Sequence, residues 1–157
     1  MMQRRFLLQA LASLAGTATL APDLMAQTRP QVEVWKDPDC GCCKDWVSHL
    51  EASGFQVKVH DSGNAQARAR LGVPDRLGSC HTAQVGGYAL EGHVPARDIQ
   101  RLLKERPKAV GLAVPGMPVG SPGMDGPIYK GRKDPYDVLL IQADGSSRVA
   151  NSSLIYR

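Results

Sequence analysis

The chain has 157 residues, a formal net charge of +4 and four cysteines. That length suits a single domain behind any leader, and four cysteines are too few for a fold stapled by disulfides. No run of lysines and arginines is interleaved with aromatics, so nucleic acid is not an expected partner.

Residues 1–26 read as an export signal. Arg4-Arg5 precedes an apolar stretch from Phe6 to Leu20, Pro22-Asp23 follows, and small Ala26 ends the segment. The paired arginines resemble a twin-arginine signal, although Gln3 stands where Ser or Thr is usual. The apolar part is too short to cross a bilayer comfortably, and no membrane span is expected after its removal. Export would place residues 27–157, as one domain, in an oxidising, periplasm-like space.

Residues 27–31 form a tether. Residues 32–36 alternate as a strand does, and Asp37-Pro38-Asp39 breaks it. A helix is predicted from about Cys42 to Ala52, with Trp46, Val47 and Leu50 on one face, stopped by Gly54. Residues 55–60 alternate again. A short basic helix over 64–71 ends at Gly72, and Val73-Pro74 opens a loop toward Ser79-Cys80-His81-Thr82. Strands over 82–86 and 87–91 meet at Gly86-Gly87. Pro95 opens a helix over 96–106, and Pro107 stops it. Residues 111–127 are a Gly/Pro-rich loop carrying Met117 and Met124, and a loop of that length inside a compact domain is usually functional or disordered. Residues 137–142 and 147–150 form a hairpin around Asp144-Gly145. The order β-α-β-α-β-β-α with a trailing β-hairpin predicts an α/β protein with a thioredoxin-like fold, a small mixed sheet flanked by helices.

The chemistry concentrates at Cys40-Gly41-Cys42-Cys43, where a strand passes into a helix. A helix N-terminus carries partial positive charge and favours the thiolate, which is both nucleophile and soft-metal ligand. Cys40 and Cys43 form a C-x-x-C pair, suited to a thiol–disulfide oxidoreductase. Cys42 argues otherwise, since a third thiol invites scrambling in a dithiol enzyme but adds a ligand to a metal site. Three crowded sulfurs do not readily enclose a tetrahedral zinc ion. Copper(I) accepts soft ligands and low coordination numbers, and bridging thiolates would let more than one ion share the cysteines. Cys80 and His81, in the loop before the third strand, would face the same helix end. His93 is a further candidate as ligand or hydrogen-bonding support, and the Met117 and Met124 thioethers are candidate copper contacts. His49 reads as a surface residue and His60 as incidental. Val73-Pro74 resembles the Val-Pro that faces the thiols of thioredoxin-like proteins, where the proline is usually cis, but five residues separate Pro74 from Cys80.

Longer strings carry a more specific likeness. Trp35-Lys36-Asp37-Pro38-x-Cys40-Gly41-Cys42-Cys43-x-x-Trp46, Ser79-Cys80-His81-Thr82-Ala83, Glu91-Gly92-His93-Val94-Pro95 and the run from Gly111 to Met124 resemble the CopG-type family of exported bacterial metal-binding proteins. The resemblance spans roughly residues 31–157. It implies a thioredoxin-like fold, copper held by the C-x-C-C cysteines with the later Cys-His, and a role in copper resistance with conversion between copper oxidation states. Copper ions, and other periplasmic copper-handling proteins, are the partners it suggests. Whether the chain acts as an enzyme or as a binding protein stays open at this point.

Overall fold

A computed structural model describes residues 29–152; the export-signal segment lies outside the described residues. Seven strands and three helices follow in the order β1 (Gln31–Lys36), α1 (Gly41–Ala52), β2 (Gln56–His60), α2 (Asn64–Arg70), β3 (His81–Val85), β4 (Tyr88–Glu91), α3 (Ala96–Glu105), β5 (Gly111–Ala113), β6 (Asp137–Ile141) and β7 (Ser147–Ser152), with 3-10 turns at Asp75–Leu77 and Pro127–Tyr129. They build one mixed sheet in the order β2-β1-β3-β4-β5-β6-β7. β1 and β2 are parallel across α1, and β3 and β4 add antiparallel before α3 returns. That βαβ–ββα arrangement is the thioredoxin-like fold, as the sequence pattern predicted. β5 pairs parallel with β4, and β6 and β7 extend the sheet antiparallel.

Each face of the sheet buries its own cluster. Val32 and Val34 of β1 meet Trp46 and Leu50 of α1 and Ile99 and Leu102 of α3 on one face. The spacings within α1 and within α3 put these residues on a single stripe of each helix. Ala89, Ala113 and Ile141 point to the other face, where Val73 and Leu77 cover them. Period-two alternation produces this division in β4, where Leu90 belongs to the first cluster and Ala89 to the second.

One reading needs correction. The Gly/Pro-rich loop begins later than its composition suggested, because Gly111–Ala113 is a strand with all three residues buried. A three-residue strand covered on both faces shows no alternation. Gly111 is required there, since a Cβ would run into the Ala89 backbone. Gly86 and Gly87, both at positive φ, close the β3–β4 hairpin. No peptide bond among the described residues is cis, so Pro74 is trans.

β3 is antiparallel to β1, so its first residues lie beside the last residues of β1, with Lys36 opposite His81. β4 ends opposite Thr82, at Glu91. The start of α1, the start of β3 and the exit of β4 therefore lie together at one end of the strands.

Candidate metal centre

Cys40 occupies the N-cap of α1 in extended geometry, with no side-chain capping bond. The unpaired N–H groups of the first helical turn thus leave partial positive charge beside the thiols. Cys40 and Cys43 are joined by a disulfide, while Cys42 and Cys80 are free. The Cys42 Sγ lies 3.5 Å from that of Cys40 and 4.0 Å from that of Cys80. All four sulfurs fall within 4.8 Å of one another, and a second grouping of Cys80, His81 and His93 satisfies the same limit. Cys80 belongs to both. Two sulfurs each about 2.3 Å from one ion at trigonal angles would sit about 4 Å apart, so the spacing suits a shared soft cation.

The two imidazoles are held differently. The Pro122 carbonyl accepts from His93 Nδ1 at 2.8 Å, which makes Nδ1 the protonated nitrogen. The lone pair of Nε2 then faces the Cys80 Sγ at 3.1 Å. Fixing the tautomer through the far nitrogen is how proteins orient metal-binding histidines. His81 places Nδ1 3.3 Å from the same sulfur, and its ring packs on Trp46 at a centroid distance of 4.2 Å. Its Nε2 is buried with no hydrogen-bond partner. An orphaned polar atom in a core is costly, and it leaves Nδ1 as the nitrogen that faces the Cys80 sulfur.

Electrostatics agree. Burial, then the neighbouring Cys42 thiol, pushes the Cys80 thiol up to about 12. Burial, with His93 adding to it, drives His81 down to about 3, and burial also lowers His93. The pocket thus resists both an uncompensated thiolate and an imidazolium. Neutral imidazoles keep their lone pairs, and a bound monovalent cation would supply the charge that a thiolate lacks. The residues present fit copper(I).

The loop after β5 crosses this site. The Ser79 hydroxyl donates to the Gly116 carbonyl, and Gly123 sits on the first turn of α1, where a Cβ would meet Cys42 O at 2.6 Å and Trp46 N at 2.7 Å. Met124, within this loop, is buried, and its sulfur accepts from the Tyr129 hydroxyl at 3.2 Å. Met117 is 53% exposed. His49 is half-buried rather than on the surface, and its Nε2 accepts from the Ala96 N–H at the start of α3 at 3.1 Å. His60 stacks on Trp35 and bonds Glu33, outside both metal-capable groupings.

Sequence reasoning missed the support beneath Cys80. Glu91, fully buried, and Arg68 of α2 bond each other and the backbone of Ser79. The only sequence signal was a charged residue ending an apolar strand.

A thioredoxin-like sheet that gathers four sulfurs and two neutral imidazoles at one end of its strands defines a thiol-rich protein able to hold a metal. Residues 77–124 match a family described as "Protein of unknown function, DUF411". Two solved structures of copper resistance protein CopG are similar over nearly their whole length. Form 2 is 46% identical with a TM-score of 0.73, covering 79% of this chain and 98% of that one. Form 1 is 48% identical with a TM-score of 0.72, covering 78% and 95%. No curated protein matches the chain. The chain belongs to the CopG family of copper resistance proteins.

Proposed function

We propose that this is a periplasmic copper-binding protein of copper resistance, holding copper(I) through Cys40, Cys42, Cys43, Cys80, His81 and His93. One observation carries the reading: sulfurs from two distant stretches converge around Cys80, whose Sγ faces one nitrogen of each of two buried imidazoles, His81 and His93. The sharing of Cys80 by two ligand groupings supports room for more than one ion. Thiolates favour the cuprous state and imidazoles suit copper more generally, which supports conversion between oxidation states as the finer part of the role. Two electrons from an external dithiol, itself oxidised to a disulfide, would open the Cys40–Cys43 bond and give the site two further thiols. Met117, exposed on the loop, serves in this reading as an outer contact, and Met124, buried within the same loop, as a guard. Among the described residues no helix is long and apolar enough to cross a membrane. Export rests on the leader.

A second reading has its own support. The disulfide joins the C-x-x-C pair at the start of α1, as in a thiol–disulfide oxidoreductase. Anaerobic copper titration with elemental analysis, run beside an insulin-reduction assay, separates the two. The copper reading expects stoichiometric copper on reduced protein, lost on Cys42→Ser. The oxidoreductase reading expects metal-free disulfide exchange that survives Cys42→Ser and disappears with Cys40→Ser.

A further inference from the structure

The geometry points to Glu91 and Arg68 as positioning residues that hold Cys80 and His81 in ligating geometry from behind the site; this rests on the copper-binding reading. Glu91 is the last residue of β4 and its side chain is wholly buried. Register places it opposite Thr82, on the face of the sheet away from His81. Its Oε1 accepts from the Ser79 N–H at 2.6 Å and from Arg68 Nη2 at 2.7 Å and Nε at 3.0 Å. Its Oε2 lies 2.6 Å from the Thr82 hydroxyl. Ser79 and Thr82 are the residues on either side of the Cys80-His81 pair. One carboxylate therefore grips the chain before and after two candidate ligands.

Arg68 closes the same grip from α2. Its Nη2 also donates to the Ser79 carbonyl at 2.7 Å, and Asn64 reaches both that carbonyl and the Thr82 hydroxyl. Gly92, directly after Glu91, donates its N–H to the His81 carbonyl at 3.0 Å. Its positive φ and the Ser79 side chain leave no room for a Cβ. His93 follows at once, so the same brace sets the distance between the Cys80 Sγ and His93 Nε2. A buried carboxylate is costly to keep unless fully bonded, and this one bonds Ser79 and Thr82 on either side of Cys80-His81 and Arg68, which itself bonds Ser79. Nothing in either hydrophobic cluster requires a charge there.

The test compares wild type with Glu91→Gln and Thr82→Val, reduced and anaerobic, with copper(I) as the probe in competition against a chromophoric chelator. Alkylation of Cys80 in metal-free protein, read by peptide mapping, is the second measurement. Loss of an outer support typically weakens a metal site about 10- to 100-fold. Both variants should weaken copper(I) binding by that order, shift its near-ultraviolet thiolate absorption and alkylate Cys80 several-fold faster, with the circular dichroism of the wild type. Variants that melt lower but keep wild-type affinity, absorption and alkylation rate would reduce Glu91 to support of the fold and overturn the proposal. If Glu91→Gln does not fold, Thr82→Val, which leaves the ion pair intact, decides. A wild type that takes up no copper(I) defeats the copper reading instead, and the alkylation rates still judge the brace.

Discussion

At the residue scale, His81 shows the conflict between folding and binding most plainly. Its Nε2 gives up water and gains no hydrogen bond. A lone unsatisfied buried group costs about 1–3 kcal/mol. Replacing it with leucine should therefore leave the metal-free protein as stable or about 1 kcal/mol more stable by denaturant unfolding, while copper(I) affinity falls at least about tenfold. A large loss of metal-free stability would assign His81 to the core instead. Gly92 makes the opposite case. It adopts φ +69°, and a Cβ there would meet the Val114 carbonyl and the Ser79 side chain. Alanine there adds left-handed strain to a steric overlap, so Gly92→Ala should cost about 2–4 kcal/mol. A loss under 1 kcal/mol would mean that the loop yields easily.

Elements deliver these residues in a way that was only partly legible. The βαβ–ββα order, the helix carrying Trp46 and Leu50 and the hairpin at Gly86-Gly87 follow from periodicity and turn chemistry, because each is a local pattern. β5 was not legible, since Gly-Leu-Ala has neither alternation nor length, and its place depends on β4 and β6 already being there. The candidate site was legible as far as its sulfur went. Crowded cysteines announce thiol chemistry, whereas the brace from Glu91 to Ser79 and Thr82 joins residues that only strand pairing brings together. His49 was misread for the same reason: nothing in α1 alone shows that its ring caps α3. That cap gives an element-scale prediction. Burial, the main cause, holds the His49 imidazole below its usual value, partly offset by Asp125. The unfolded chain takes up the proton first, so the contribution is whole above about pH 6.5 and drains away as the pH falls below it. His49→Ala should cost about 1 kcal/mol at pH 8 and should flatten that part of the pH–stability curve. An unchanged curve would show that the cap contributes nothing.

On the scale of the whole molecule, the fold works by bringing two distant stretches of chain to one end of the sheet. The parallel crossover sets the C-x-C-C at the tip of β1, the antiparallel return sets Cys80 and His81 beside it, and the loop after β5 fixes His93 through the Pro122 carbonyl. Redox state should gate capacity. With the Cys40–Cys43 disulfide closed, two thiols and two imidazoles remain, so reduced protein should bind more copper, or bind it more tightly, than oxidised protein by elemental analysis and chelator competition. Equal uptake in both states would remove Cys40 and Cys43 from the ligand set. Convergence of the sulfurs can be read by copper-edge X-ray absorption on reduced, copper(I)-loaded protein, with Cys80→Ser alongside. The expected result is a sulfur shell near 2.3 Å that loses a contributor, together with bound copper, in the variant. A shell of nitrogen and oxygen alone, or a sulfur shell untouched by Cys80→Ser, would contradict it.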